Sequence, residues 1–221
     1  MRQGCTVKIK LTIAADGLLS LLLLLQYGVL LRVQVGCSIK SLLCEQLGVS
    51  PTYLEERIKT VLLDGHVVDD VASAIIRDGS TLAISAAMPG LVGATLRRGG
   101  QLTSLRSAVT HREAETIWPR REGCIHLKLF NLLVPELGPI LLKKGVYIGR
   151  DYFEAFLQSL PELFWKQCKV AEVDGQPVTL DYVLRMAWME NCDRVMLEVN
   201  SDTAQGEGEA AAGAVGVERH E

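Results

Sequence analysis

Residues 26–65, QYGVLLRVQVGCSIKSLLCEQLGVSPTYLEERIKTVLLDG, align without a gap with residues 136–175, ELGPILLKKGVYIGRDYFEAFLQSLPELFWKQCKVAEVDG, at an offset of 110. Each stretch reads as an extended segment, an amphipathic helix, a proline-opened turn and a short extended segment closing on Asp-Gly. Identities are few: Gly28 with Gly138, Leu31 with Leu141, Leu47 with Leu157, Pro51 with Pro161, Lys59 with Lys169, and Asp64-Gly65 with Asp174-Gly175. What recurs is the order of physical signals, and that order predicts one small α/β unit present twice.

Upstream of the first stretch, Val7, Ile9, Leu11 and Ile13 alternate with Lys8, Lys10 and Thr12, the pattern of a half-buried strand. Val29, Leu31, Val33 and Val35 give a second strand, expected antiparallel to the first. Ser38 is placed to cap a helix whose apolar stripe is Ile39, Leu42, Leu43 and Leu47. Ser50-Pro51 opens a short helical turn, Ile58 to Leu63 makes a third strand, and Asp64-Gly65 a tight turn. Asp78-Gly79 is another turn before a last strand from Thr81 to Ala86. The second unit follows the same plan: Ile125, Leu127 and Leu129 on a strand, an extended stretch from Ile140 to Ile148, then Asp151 and Glu154 at capping-box spacing. Phe153, Phe156 and Leu157 line the buried side of that helix. Pro161, a strand from Lys169 to Val173, a helical stretch from Leu180 to Glu190 and a closing strand through Val195, Leu197 and Val199 complete it. The expected organisation is a first domain over 1–100, a linker over 101–123 with a helix hinted by Leu102, Leu105, Ala108 and Val109, a second domain over 124–200, and a disordered Gly/Ala/Glu tail over 201–221.

Composition narrows the function. At 221 residues the chain holds two units of modest core. A net charge of −3 and a pI near 5.9 leave no basic footprint for nucleic acid. Hydrophobic residues reach 48% but aromatics only 5%, so the cores are aliphatic. The run from Leu18 to Leu25 is too short for a membrane span, which needs about 20 apolar residues, and no small-x-small cleavage site marks it as a signal peptide. A buried or interface-forming hairpin is the expectation there. Six cysteines without a CxxC pair point to reduced thiols and a cytoplasmic location.

The order strand, strand, helix, connection, strand, turn, strand is that of the β-grasp fold, a mixed sheet curled around one helix. Val61-Leu62-Leu63-Asp64-Gly65-His66-Val67-Val68-Asp69-Asp70, followed by Ile76-Arg77-Asp78-Gly79-Ser80-Thr81-Leu82-Ala83-Ile84, resembles the closing half of the small sulfur-carrier proteins, the molybdopterin synthase small subunit and the thiamine sulfur carrier, relatives of ubiquitin. The resemblance covers residues 6–100 and implies an α+β class with tandem ubiquitin-like units. In that family a terminal Gly-Gly carries the reactive carboxylate, which gives Arg97-Arg98-Gly99-Gly100 its interest. Gly99 and Gly100 become a candidate carrier tail, exposed only by cleavage after Gly100, because 121 residues follow.

Met88-Pro89-Gly90-Leu91-Val92-Gly93 is an apolar, glycine-punctuated segment and a candidate interaction loop. Catalytic signals are thin. Cys124 and His126 lack further ligands, Asp64, Asp69 and Asp70 flank a turn, and no nucleophile–base spacing or phosphate-binding glycine loop stands out, so no catalytic residue, cofactor or metal is assigned. The leading expectation is a non-enzymatic interaction or assembly module with a protein partner or a second copy of itself. The alternatives are a carrier or modifier precursor, and a small-ligand protein or enzyme with its site between the units.

Overall fold

The computed structural model describes residues 5–88, 90–100 and 118–202. Pro89, the expected linker helix over 102–109 and the tail beyond 202 lie outside the described residues.

The chain is an α+β structure organised on a ten-stranded mixed sheet. In order come β1 (Thr6–Ala14), α1 (Ala15–Tyr27), β2 (Val29–Val35), β3 (Cys37–Ser38), α2 (Ile39–Ser41) running into a wide π turn (Leu42–Gln46), α3 (Pro51–Glu56), β4 (Thr60–Leu63), β5 (His66–Val67), β6 (Ile75–Ile76), β7 (Thr81–Ser85) and α4 (Gly90–Leu96). After the gap follow β8 (Arg121–Phe130), α5 (Leu133–Lys144), β9 (Val146–Gly149), α6 (Arg150–Ser159), α7 (Glu162–Gln167), β10 (Cys168–Val173), β11 (Gln176–Val178), α8 (Leu180–Arg185), a 3₁₀ turn (Ala187–Met189) and β12 (Arg194–Asp202). Strands stand side by side as β11-β10-β1-β12-β9-β2-β8-β7-β4-β5, while β3 and β6 form a separate small pair.

This order interleaves strands from the two halves of the chain that the sequence leads one to expect as copies. β1 lies parallel to β12 and antiparallel to β10, both from the second copy. β8 lies antiparallel to β2 and parallel to β7, both from the first. One continuous sheet therefore crosses the boundary expected between residues 100 and 124. Its seam is narrow, since β2 and β9 pair in register only at Leu30 and Tyr147.

The expected β1–β2 hairpin is corrected. The two strands do not pair; the leucine run between them is helix α1, a crossover that carries the chain over the sheet. Leucine is a strong helix former, and Leu18 to Tyr27 contains neither glycine nor proline. Leu21, Leu22, Leu24 and Leu25 turn inward. The extended reading of Ile140 to Ile148 is corrected in the same way: α5 runs to Lys144, accommodating Pro139 inside it, and only β9 is extended. Helices α1 and α5 pack on each other at Gly138, where an added Cβ would meet Leu22 Cδ2 at 2.5 Å and Leu25 Cδ1 at 2.8 Å.

The repeat needs a gap as a consequence. Gly28 and Gly145 close α1 and α5 with φ of +115° and +94°, so Gly28 corresponds to Gly145 and not to Gly138. The offset of 110 does hold at the turns. Asp64-Gly65 has φ of 50° and 82°, Asp174-Gly175 has 48° and 80°, the doubly left-handed pair of a type I′ hairpin.

Local capping follows the sequence in the first copy. Ser38 accepts from the Ser41 N–H, and Ser50 accepts from the Tyr53 N–H with Pro51 opening α3. In the second copy Asp151 is not a cap: α6 starts after Gly149 without a side-chain cap, and Asp151 and Glu154 instead flank Arg150 at 3.8 and 3.9 Å.

The core lies between the sheet and the helices. Ile9, Leu11, Ile13, Leu31, Ile125, Leu127, Val195 and Leu197 point to the helical side, while Lys8, Arg32, Gln34, His126 and Arg194 on the same strands are exposed on the other. Among the described residues no helix is long and apolar enough to cross a membrane.

Candidate functional site

Strand parity puts Thr60 and Ser85, which face each other across β4 and β7, on the polar side of the sheet. Both are nonetheless buried, Thr60 at 1% and Ser85 at 0% exposure. The reason is the segment after β7, which folds back over this end of the polar face. Ser85 Oγ donates to the Ala87 carbonyl at 3.3 Å, and Asn131 Nδ2 donates to Ser85 Oγ at 2.9 Å and also to the Ala87 carbonyl. After α4 the Arg98 N–H donates to the Lys59 carbonyl at 2.8 Å, tying the far end of the segment to the start of β4.

The loop expected at Met88 to Gly93 and the expected tail Gly99-Gly100 therefore meet. Met88, Gly90, Gly93, Gly99 and Gly100 line one cavity of about 680 Å³ with Lys59, Thr60, Arg97 and Arg98. Gly90 to Leu96 is helical rather than a loop, and Gly93 lies so close to the Met88 carbonyl that a Cβ would sit 1.8 Å from its oxygen. Gly100 N–H donates back to the Arg97 carbonyl at 3.2 Å, so Gly99 and Gly100 form a turn after a helix.

Cations dominate the lining. The Arg98 side chain is 10% exposed and its Nη2 holds Glu55 at 2.8 Å. Lys59 Nζ donates to the Glu55 carbonyl at 2.8 Å. Two atoms of these lining residues, Arg98 Nη1 and Thr60 Oγ1, are buried out of reach of solvent with no hydrogen-bond partner among the described residues. Asp70 is held below the usual carboxylate range, first by the Ala72 N–H and the Ser73 hydroxyl, with the Arg98 charge a smaller contribution. The Arg97-Arg98 pair is visible in the sequence beside the glycines, but Lys59 and Thr60 carry no motif; only the pairing of β4 with β7 brings them here.

A second cluster joins the copies. Tyr53 and Arg57 at α3 both donate to the Glu136 carboxylate on α5, with Arg57 Nε at 3.3 Å. Burial, then the Glu136 carboxylate, pushes the Tyr53 hydroxyl up, while Arg57 and then Tyr53 hold Glu136 down. All three groups satisfy one another, so the cluster fastens α3 to α5.

The other sequence candidates stay apart or are used locally. Cys124 is half-buried and His126 exposed on the polar face, and among the described residues no three metal-ligating side chains converge. The Asp64 carboxylate accepts the Thr81 N–H at 2.7 Å and the Ser80 hydroxyl at 3.2 Å. Trp188 packs on Phe153 and donates to the Val183 carbonyl, and Trp165 packs on Phe164. Burial pushes the Cys168 thiol up to about 11, which makes it a packed, unreactive group.

The outer side of α1 is the remaining surface of note. Leu19, Leu23 and Tyr27, one turn apart, are 63%, 48% and 69% exposed, and the Tyr27 ring meets that of Tyr152 on α6 at 5.8 Å. Compared with protein-family models, curated proteins and solved structures, the chain matches none of them.

Proposed function

We propose that this protein is a non-enzymatic interaction module, made of two β-grasp-like halves, that associates with a second copy of itself through the outer stripe of α1. The observation that carries this reading is the Leu19–Leu23–Tyr27 stripe with Tyr152 beside it. It is an exposed apolar row on a helix whose other side is fully committed to the core. Asp16 is the sole ionisable residue of α1 apart from Tyr27, so the stripe has no charge pattern with which to choose a foreign partner. A straight row of leucines one turn apart is self-complementary across a two-fold axis. The sheet edges offer less. β5 has two residues, and β11 has three including Pro177, which lacks an N–H, so little free backbone is available for strand addition.

The β-grasp part of the reading is supported by the five strands β2-β8-β7-β4-β5. They run antiparallel, parallel, antiparallel, antiparallel, with the capped helix segment from Ile39 packed on them. The reducing cytoplasm, where all six cysteines remain thiols, is part of the same proposal.

Light scattering coupled to size exclusion tests it. The native chain is expected at twice its 24.2 kDa mass at micromolar concentration, and the double variant Leu19→Arg, Leu23→Arg at the single mass with unchanged circular dichroism. A native chain that stays at the single mass up to several hundred micromolar defeats the proposal.

A further inference from the structure

We infer that Cys5 and Cys192 form a reversible redox staple: a low-molecular-weight disulfide of the glutathione class oxidises the two thiols to a disulfide that fastens the start of β1 to the lead-in of β12. The device does not rest on the α1 stripe and is independent of self-association.

The sheet brings the two residues together. β1 and β12 are parallel neighbours with Thr6 opposite Arg194, so both strands begin at the same edge of the sheet. Cys5 stands one residue before Thr6 and Cys192 two before Arg194. The backbone fixes the approach, because the Cys5 carbonyl accepts the Asp193 N–H at 2.9 Å and the Arg194 N–H at 3.4 Å. Neighbouring strands lie about 4.8 Å apart, and a one-residue offset along them puts the Cα atoms at about 6 Å, within the roughly 4.4–6.8 Å that a disulfide spans.

The side chains share a side of the sheet. Continuing the alternation of β1 back by one residue places Cys5 with Val7 and Ile9 on the helical side, and Cys192 is 4% exposed in the core that covers that side. Electrostatics agree. Burial is the main influence on the Cys192 thiol and pushes it up; Arg150 opposes this, Cys5 and then Asp193 add to it, and the Val7 N–H acts on the same sulfur. Cys192 therefore sits against β1, within electrostatic range of Cys5.

The pair is asymmetric, with Cys5 exposed and Cys192 buried. Cys5 is the thiol that meets the oxidant. Its thiolate attacks one sulfur of the small disulfide, whose S–S bond breaks and releases one thiolate. The Cys192 thiolate then attacks the Cys5 sulfur of the mixed disulfide and expels the second. Two cysteine thiols are oxidised by two electrons, the small disulfide is reduced to two thiols, and the two cysteine protons end on them. In a reducing compartment both cysteines stay as thiols, and the bond forms on oxidation. Once formed, it closes a loop over most of the chain, which constrains the unfolded state.

The test incubates the folded full chain with oxidised glutathione, blocks the remaining thiols and maps unreduced peptides by mass spectrometry. The chain is expected to lose two hydrogens, to show the Cys5 peptide linked to the Cys192 peptide, and to recover its mass with dithiothreitol. Its melting temperature should rise by about 5 °C or more on oxidation. Cys5→Ser changes an exposed position, so it is expected to fold and to show no rise. Cys192→Ser is expected to stop at a glutathione adduct on Cys5. A native chain that keeps glutathione on Cys5 without closing overturns the proposal. So does a native chain in which Cys192 stays a thiol or links elsewhere, or a Cys5→Ser chain whose melting temperature rises as the native one does.

Discussion

The two Asp-Gly hairpins are close local copies set against strands from opposite ends of the chain. At the first, Asp64 N–H donates to the Thr81 carbonyl and the Asp64 carboxylate accepts the Thr81 N–H at 2.7 Å. At the second, Asp174 makes the same two bonds, with Lys8 in the place of Thr81 and the carboxylate contact at 2.9 Å. Thr81 opens the last strand of its own copy, whereas Lys8 belongs to the first strand of the other. The sheet order shows this as β4-β7-β8 on one side and β10-β1-β12 on the other. β7 and β12, the corresponding last strands, occupy different places. A parallel neighbour pair can be set down in either order without reversing any strand, so both arrangements satisfy every ladder bond. The lesson is that the turn chemistry is indifferent to where its partner comes from.

Breaking one half should therefore break both. Leu43→Asp places an unpaired carboxylate at a site with 1% exposure in the first copy, and is expected to cost more than about 4 kcal/mol. The near-ultraviolet signal of Trp165 and Trp188, which sit in the second copy, should be lost in the same transition. A surviving separate transition for those tryptophans would mean that the halves fold independently.

The helix ends come next. Gly28→Ala and Gly145→Ala each force a left-handed φ on alanine, at about 1–2 kcal/mol. Gly145 is expected to cost more in urea unfolding, because its Cβ would sit 2.4 Å from Met196 Cε, against 3.1 Å from Lys128 Cε at Gly28. The reverse order would mean that the two crossovers are not equivalent.

The turns sharpen the comparison further. Asp174→Ala should lose about 1 kcal/mol, the bond from the Lys8 N–H, and Asp64→Ala should lose more, because its carboxylate also accepts the Ser80 hydroxyl beside the Thr81 N–H. The Asn variants, which keep an acceptor and tolerate positive φ, should be nearly silent by the same measurement.

Smallest is the clasp between copies. Glu136 has a depressed pKa in the folded chain, so its contribution is full above the unfolded carboxylate value of 4.5 and is lost as pH falls through the lower folded value. Its carboxylate is 30% exposed, which limits Glu136→Gln to about 0.5 kcal/mol at pH 7. The difference from the native chain should vanish in strong acid. A difference that persists at low pH would assign the clasp to packing rather than charge.

Much of the local structure was legible in the residues. The Ser38 and Ser50 caps, both Asp-Gly turns and the alternation in β1, β2 and β8 follow from rules that act over a few neighbours. The two misread crossovers share a cause. Leu18 to Leu25 and Ile140 to Leu142 are short apolar stretches without a clear period, and periodicity cannot separate strand from helix in such stretches. Both are crossover helices. The cavity was half legible: Arg97-Arg98-Gly99-Gly100 and the Met88–Gly93 segment each stood out, but as unrelated features. Their meeting depends on a folded-back segment and on the pairing of Thr60 with Ser85, which no local pattern encodes.

By itself the amino-acid sequence determined the Ser38 and Ser50 caps, the two Asp-Gly turns and the apolar face of β1, β2 and β8. Only the tertiary structure decided that β1 and β8 are interleaved between the halves and that one cavity gathers Lys59, Thr60 and Arg98. The physical reason is that ladder hydrogen bonds are made by backbone groups common to every residue. Alternation names the side of a strand that seeks the core, while the identity of its neighbour is settled by how the whole sheet and the crossed helices α1 and α5 pack together.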